Sequence, residues 1–390
     1  MSLILGVQQN NAVDKAIKWK RGQNKQIFEI SGPAGSGKTF IIHYLIQKLG
    51  IPIENVLFMA YVGKAALALI LQGNKAQTIH SIIYDLVEVP KLDDNNNFIR
   101  KNGRLVTVPT FIKKKELPNN IQLLVIDEGS MIDSKIGRDI LSFGLPVIVL
   151  GDLHQLPPIF GKSYFLNNPD VILTEIRRQK ENDPIIYLSQ QAIKHKPLKV
   201  GKYGDKCYII NKDQITDNMF VKSDIVICGK NKTRDNINNY VRYDINKIDT
   251  AFPVIGEKVI CRKNNWGVKV LDNIYLVNGL IGYISDIHLE TYTKKSIAID
   301  FRPEFLDTDV FKRLYIDHTY LFKSYEEKKE NKRTYINKFE YANAITTHLA
   351  QGSQYNNVFI YNERMGGDEY YYKWLYTAIT RAINGLIIAV

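Results

Sequence analysis

Apolar residues along the chain gather in short runs separated by polar turns, and two spacings alternate. Residues 27–30 read as a buried strand, and Phe40, Ile41, Ile42, Tyr44, Leu45, Ile46 and Leu49 follow at helical spacing. Residues 56–60, 121–126 and 146–150 repeat the strand pattern, and 171–173 adds a shorter piece. Ahead of them Ala12, Ala16 and Trp19 fall on one helical face. In the second half, 225–228, 257–261, 358–361 and 386–390 read as strands, 230–242 and 374–381 as helices, and 276–282 as a turn between strands. Buried strands alternating with helices predict α/β architecture with parallel sheets.

Two stretches break the alternation. Residues 85–120 hold an Asp-Asn run, three prolines and a basic set. Within them Asn102-Gly103, flanked by Ile99-Arg100-Lys101 and Arg104-Leu105-Val106, predicts a two-residue hairpin. A solvated surface loop is the alternative. Residues 286–338 are charged and read as irregular, a second insertion.

Composition adds little. The 390 residues allow two or three domains, and 45% apolar with 24% charged residues is ordinary for a globular chain. A formal charge of +12 suits a polyanionic partner, although solubility alone would also explain it. Cys207, Cys228 and Cys261 are too scattered for a zinc site or disulfide framework, which fits a reducing compartment. No apolar run reaches membrane-spanning length, and residues 1–9 lack the pattern of a signal peptide. A cytoplasmic protein with no membrane contact is expected.

The chemistry starts at Gly32-Pro33-Ala34-Gly35-Ser36-Gly37-Lys38-Thr39, between a strand and a helix. Glycines let successive N–H groups turn toward phosphate oxygens, and the helix adds its positive end. Lys38 supplies a charge for the β- and γ-phosphates of ATP, and Thr39 a hydroxyl for Mg²⁺. The 121–126 strand ends in Asp127-Glu128, where Asp127 can hold Mg²⁺ and Glu128 can take a proton from water. Gln155, after the 146–150 strand, can sense the γ-phosphate. Tyr61, Gly63 and Lys64 follow the 56–60 strand toward the same crevice. On spacing alone His80 fits a structural histidine as well as a ligand contact.

Taken in order, these segments resemble superfamily 1B DNA helicases of the RecD/Dda type, over nearly the whole chain. Gln9 resembles the family's adenine-reading glutamine, and Gly32 to Thr39 its motif I. Gly63-Lys64-Ala65-Ala66 resembles motif Ia, with Tyr61-Val62 where the family has Pro-Thr, and Thr78-Ile79-His80 the next DNA-contact motif. Asp127-Glu128-Gly129-Ser130 and Gly151-Asp152 with Gln155-Leu156-Pro157-Pro158 resemble motifs II and III. Glu175-Ile176 with Arg178-Gln179 resembles motif IV, Arg178 being preferred over Arg177 because it directly precedes Gln179. Thr347-His348 with Gln351-Gly352-Ser353 resembles motif V, with Leu349-Ala350 in place of Lys-Ser and Gln354 in place of the ribose-contacting Glu. Tyr376 to Ala382 resembles motif VI.

The resemblance implies two RecA-like P-loop NTPase domains with small β-rich insertions. The first spans 1–84 and 119–168, the second 169–285 and 341–390, with a hairpin pin at 85–118 and a small barrel-like unit at 286–340. It implies ATP between the domains, Arg178 and Arg381 as arginine fingers, and single-stranded DNA crossing Tyr61, Gly63, Lys64, Thr78, His80, Thr347 and His348. Phe98, Lys101 and Arg104 would meet the fork, with Phe111 as the reserve ring. The implied activity is 5′-to-3′ translocation with duplex unwinding by a monomer on forked DNA, in a bacterial or phage-infected cell, with replication or recombination proteins as partners. A translocase that does not unwind duplex DNA, acting on single-stranded DNA or RNA, and a nucleotide-gated nucleic-acid-binding switch are the other readings. The Thr380-Arg381 pair and the second domain count against the switch.

Overall fold

A strand that is apolar on both faces needs cover on both, and the first half of the chain meets this with a parallel sheet. In the computed structural model six strands lie in the order Val171–Ile172, Ile27–Ser31, Val147–Gly151, Leu123–Asp127, Val56–Ala60, Ala76–Thr78, every pair parallel. The structure describes all residues except 1–4, 23–24, 34, 94, 102, 159–160, 176–182, 272–273, 295, 325–326 and 328–335. Alternate residues of one strand feed different cores. Leu123 and Val125 pack with the helices Val7–Gly22 and Lys38–Lys48, whereas Leu124 and Ile126 pack with Ile79, Ile136 and Ile140.

A second sheet has the order Gly201–Tyr203, Cys207–Ile210, Ala382–Ala389, Tyr355–Tyr361, Ile225–Cys228, Ala344–Thr346, parallel except for its first strand. Trp374 and Leu375 of the helix Asp368–Ile379 and Leu188 of Pro184–Ile193 fill one of its faces. The third unit is antiparallel: Phe311–Ile316, Ile297–Pro303, Ile281–His288, Lys258–Cys261, Phe339–Tyr341. A bridge from Ile316 to Asn337 brings its two edges together, so the sheet curls as a barrel does. Among the described residues no helix is long and apolar enough to cross a membrane.

Three expectations change. Residues 171–172 pair with Ile30 and Ser31, so they extend the first sheet and not the second domain. The 257–261 strand lies inside the antiparallel unit, between Ile281–His288 and Phe339–Tyr341, so that unit begins well before residue 286. The charged 286–338 stretch is largely regular: Ile297, Ile299 and Phe301 point inward while Asp300 and Arg302 alternate outward, the period-two pattern of a half-buried strand.

The pin is also longer than the predicted hairpin. Tyr84–Pro90 and Thr107–Lys113 form an antiparallel ribbon, and Arg100–Lys101 with Arg104–Leu105 pair only at its far end. Phe98 bridges Leu92 out there, not near the ribbon's base. The turn residue Asn102 lies outside the described residues.

Arg242 joins the second sheet's helix layer to the antiparallel unit. Its guanidinium is buried, donates to Glu257 at 2.5 Å and to the carbonyls of Ile248, Thr250 and Phe252 at 3.3, 2.6 and 2.7 Å. Arg242→Met leaves the Glu257 charge buried without its cation, a loss of about 3–5 kcal/mol. Urea unfolding should show an unfolding free energy lower by that amount, and an unmoved midpoint would mean the pair adds nothing to stability.

Candidate active site

The loop after Ile27–Ser31 turns at Gly35 and Gly37, with φ of 84° and 83°. Other residues enter that left-handed region at a cost of about 1–2 kcal/mol. A Cβ on Gly37 would also stand 2.6 Å from Nε2 of Gln9. The first helix holds Gln9 there: it is buried, donates to the Ser36 carbonyl at 3.3 Å and accepts from Gly6 N at 3.1 Å. Lys38 folds over the loop, its Nζ donating to the carbonyls of Gly32 and Pro33 at 2.6 and 3.0 Å. Ala34 lies outside the described residues.

Asp127 ends the neighbouring strand but one, and accepts from Glu128 N at 2.9 Å. Burial raises the proton affinity of both carboxyls. For Glu128 the adjacent Asp127 raises it further, and Arg381 and Lys38 oppose the shift. For Asp127 the Lys38 charge and the Glu128 N–H oppose it. A carboxylate with raised basicity is suited to accepting a proton from water.

The second sheet meets this edge with the entry ends of two strands. Gln354 precedes Tyr355–Tyr361, and Arg381 precedes Ala382–Ala389. Arg381 is buried, its Nε donating to the Thr377 carbonyl at 3.0 Å and one terminal nitrogen to Ser353 O at 3.1 Å. Between the sheets is a cleft of about 570 Å³ lined by Gln9, Gly35, Gly37, Lys38, Thr39, Asp127, Glu128, Gln155, Gln354 and Arg381. Most of the nucleotide-site residues predicted from sequence therefore converge. Arg178 lies outside the described residues.

The donor set fits a nucleotide with its metal. Gln155 Oε1 and Ser353 Oγ are buried at this cleft and have no hydrogen-bond partner among the described residues, as expected of groups that serve a polar ligand. The Thr39 hydroxyl and the Asp127 carboxylate offer hard oxygens. Two protein donors suit Mg²⁺, which keeps water and phosphate oxygens in its remaining positions.

The sequence did not reveal the bonds that hold the two sheets in this relation. Tyr376 donates to Asp152 Oδ2 at 2.5 Å, Leu156 N to the Thr377 hydroxyl at 2.9 Å, and Gln351 Nε2 to Leu156 O at 3.2 Å. All five residues stand in quoted motifs, but nothing in one chain's spacing says which of them meet. Phe40 and Gln72 also line the cleft and were not singled out.

The residues expected to face DNA divide. Tyr61 and His80 lie with ring centroids 6.1 Å apart, and His80 lies 5.5 Å from Phe111 at the ribbon's base. Burial lowers the His80 pKa, which favours a neutral ring. Gly63 and Lys64 are instead packed between units. A Cβ on Gly63 would stand 2.4 Å from Asn264 Oδ1 and 2.7 Å from Val277 Cβ, so only glycine lets the antiparallel unit approach. Lys64 N donates to Asn278 O at 3.2 Å, and Nζ lies 3.5 Å from Glu304 and 5.1 Å from the Tyr355 ring centre. Burial opposes the Lys64 charge, but Tyr355 and Glu304 outweigh it and the pKa rises. Thr78 is buried with its hydroxyl 3.0 Å from that of Ser81, and Thr347 is buried with its hydroxyl donating to Cys228 O at 3.3 Å. His348 is half-buried, its Nε2 has no hydrogen-bond partner among the described residues, and burial lowers its pKa. Phe98 is exposed, and the side chains of Lys101 and Arg104 lie outside the described residues.

A glycine loop at one strand end, paired carboxylates at another and a facing sheet with an arginine define a P-loop α/β protein. The AAA domain family matches residues 4–214, and the UvrD-like helicase C-terminal domain matches residues 341–389. The chain belongs to the AAA domain family, whose model covers just over half of it. It is similar to the ATP-dependent DNA helicase dda of Enterobacteria phage T4, 29% identical over 65% of this chain and 59% of that one. It is similar to the ATP-dependent DNA helicase Pif1 of Campylobacter jejuni, 25% identical over 62% of this chain and 55% of that one. An uncharacterized Methanocaldococcus jannaschii protein is 25% identical over 93% of this chain and 36% of its own length. The chain thus spans about a third to three-fifths of these curated relatives. Its fold is that of Bacteroides Pif1 solved with ADP-AlF3 and ssDNA, at TM-score 0.53 and 18% identity, covering 100% of this chain and 93% of that one. Candida albicans Pif1 gives TM-score 0.53 at 16% identity, covering 99% and 95%.

The loop geometry gives a direct test. Gly37→Ala forces a side chain into the left-handed region and against Gln9, at a cost of about 1–2 kcal/mol. Titration with a fluorescent ATP analogue should show roughly tenfold weaker binding. Parental affinity would mean that the loop and Gln9 do not shape the nucleotide site.

Proposed function

We propose that the chain is an ATP-driven DNA helicase that moves 5′-to-3′ on single-stranded DNA and parts the duplex ahead of it. The observation that carries this reading is the cleft where Lys38, Thr39, Asp127 and Glu128 of the first sheet meet Gln354 and Arg381 of the second. Lys38 and the loop hold the phosphates, Thr39 and Asp127 hold Mg²⁺, and Glu128 takes the proton of the attacking water. Mg²⁺ supplies charge neutralisation on the phosphate oxygens. Arg381 stabilises the charge that builds on the γ-phosphate, and Arg178 joins it on the family pattern alone. Because the site draws on both sheets, each turnover is tied to their relative motion.

DNA as the track is supported by the names of the relatives, ATP-dependent DNA helicases in phage T4 and C. jejuni, and by the chain's charge of +12. The direction of travel rests on the same likeness. The chain acts as a monomer in the cytoplasm, alongside replication or recombination proteins. Tyr61, His80 and Phe111 form the stacking platform for bases, and the ribbon blocks the displaced strand. Phe111 is the better wedge than Phe98: both are exposed, but only Phe111 continues the row of rings at the sheet edge.

ATP hydrolysis measured with and without single-stranded DNA and RNA tests the motor, and forked duplexes with a 5′ or a 3′ tail test direction. Stimulation by RNA alone, or unwinding only from the 3′ tail, would overturn the DNA or the direction assignment. Arg381→Ala should lose about 10³–10⁵ in kcat, and Glu128→Gln should bind ATP without turning it over. Parental turnover by either variant removes that residue from the chemistry.

Loss of one ring–base stack is worth about 1–3 kcal/mol. Phe111→Ala should therefore keep DNA-stimulated hydrolysis while forked-duplex unwinding slows about tenfold. Unwinding at the parental rate would leave the ribbon as solvated surface.

A further inference from the structure

Asp152 and Tyr376 are both almost wholly buried, and neither lines the nucleotide cleft. One carboxylate oxygen of Asp152 accepts from His154 N in its own turn, at 3.0 Å. The other accepts from the Tyr376 hydroxyl of the opposite sheet's helix, at 2.5 Å. Burial and the Asp152 charge keep that phenol protonated and so able to donate. A buried carboxylate that loses a partner is costly, so this bond holds the two units in one relation strongly.

What it holds is the arginine. Thr377, next to Tyr376, accepts from Leu156 N through its hydroxyl and from Arg381 Nε through its carbonyl. The turn at 152–156 thus grips the last turn of the helix, and that turn grips Arg381. Glu128 lies at the far side of the same cleft, within electrostatic reach of both Arg381 and Asp152.

We infer that Tyr376 is a positioning residue for the hydrolysis proposed above, on which this inference rests. Its hydrogen bond to Asp152 sets Arg381 in register with the phosphates and with Glu128. It touches neither nucleotide nor water, and acts only through the helix that carries the arginine. The bond can exist only when the two sheets are in this arrangement, so it also makes arginine placement conditional on closure.

The test is steady-state ATP hydrolysis by the full chain with saturating single-stranded DNA. Tyr376→Phe keeps the ring and removes the donor. We expect kcat to fall about tenfold or more, with the ATP KM within about threefold of the parent. Asp152→Ala removes this bond from the other side, together with the one from His154 N, and should lower kcat at least as far as Tyr376→Phe does. The double variant should fall less than about twofold below Asp152→Ala, because no Tyr376 bond is then left to break. Parental kcat in either folded variant, a loss confined to KM, or additive losses in the double variant would overturn the inference. So would a collapse of both single variants in thermal melting, which would make the role purely structural. A parent chain that does not hydrolyse ATP fails the functional proposal itself, and this inference falls with it. A parent that hydrolyses ATP beside an undiminished Tyr376→Phe fails the inference alone.

Discussion

Two carboxyl groups set side by side at the end of a buried strand repel each other and lose their hydration. Asp127 and Glu128 are in that position, and both have their proton affinity raised by burial. Keeping them usable as anions requires positive charge close by, in a place that excludes bulk water. The first sheet supplies one cation, Lys38. The other, Arg381, comes from the second sheet, and its charge acts on Glu128. One parallel sheet can carry the loop and the carboxylates on its carboxyl edge, but it has no element facing that edge. The need for opposed charge across a narrow cleft is therefore what makes two sheets necessary.

The antiparallel unit then fixes how the two sheets lie. Leu67 of the first sheet's helix Gly63–Leu71 is buried in that unit's core. Glu304 of the same unit lies 3.5 Å from Lys64 of that helix, so its carboxylate spans the joint. Tyr355, whose ring lies beneath Lys64, begins a strand of the second sheet next to Gln354. Three units meet at one lysine.

Whatever depends on consecutive residues was legible in the sequence. The glycine loop, the Asp127-Glu128 strand end, the buried strands and the Asn278-Gly279 turn all stand where their spacing put them, Gly279 with φ of 90°. What depends on which strand lies beside which was not. Val171–Ile172 and Lys258–Cys261 are apolar runs like any other, and only the pairing with Ile30 or with Gly282 tells which sheet each joins. The strand pair Gly201–Tyr203 and Cys207–Ile210 went unread because three or four residues carry no periodic signal. Lys64 failed for a different reason. A lysine after a strand at a carboxyl edge has the right chemistry for phosphate, and nothing local says that another unit with its own carboxylate covers it.

The position of the aromatic row explains how nucleotide and nucleic acid could share one lever. Ala60 is paired with both Asp127 and Thr78 across adjacent parallel strands. Tyr61 is the next residue after Ala60, and His80 comes two after Thr78. Neighbouring strands lie about 4.8 Å apart. The proposed magnesium ligand and the proposed base platform therefore sit on consecutive strands of one hydrogen-bonded edge, with no loop or hinge between them. The ribbon starts at Tyr84, directly after the short helix Ile79–Ile83 that carries His80, and Phe111 returns to meet that ring. Such an edge moves as a piece, because shifting one strand end against the next would break the ladder that pairs them. A change of charge at Asp127 and Glu128 that draws Arg381 inward would thus move the whole platform relative to Thr347 and His348 of the second sheet. Stepping along a strand requires two sites that approach and separate, and this arrangement supplies them without any contact between the nucleotide and the bases.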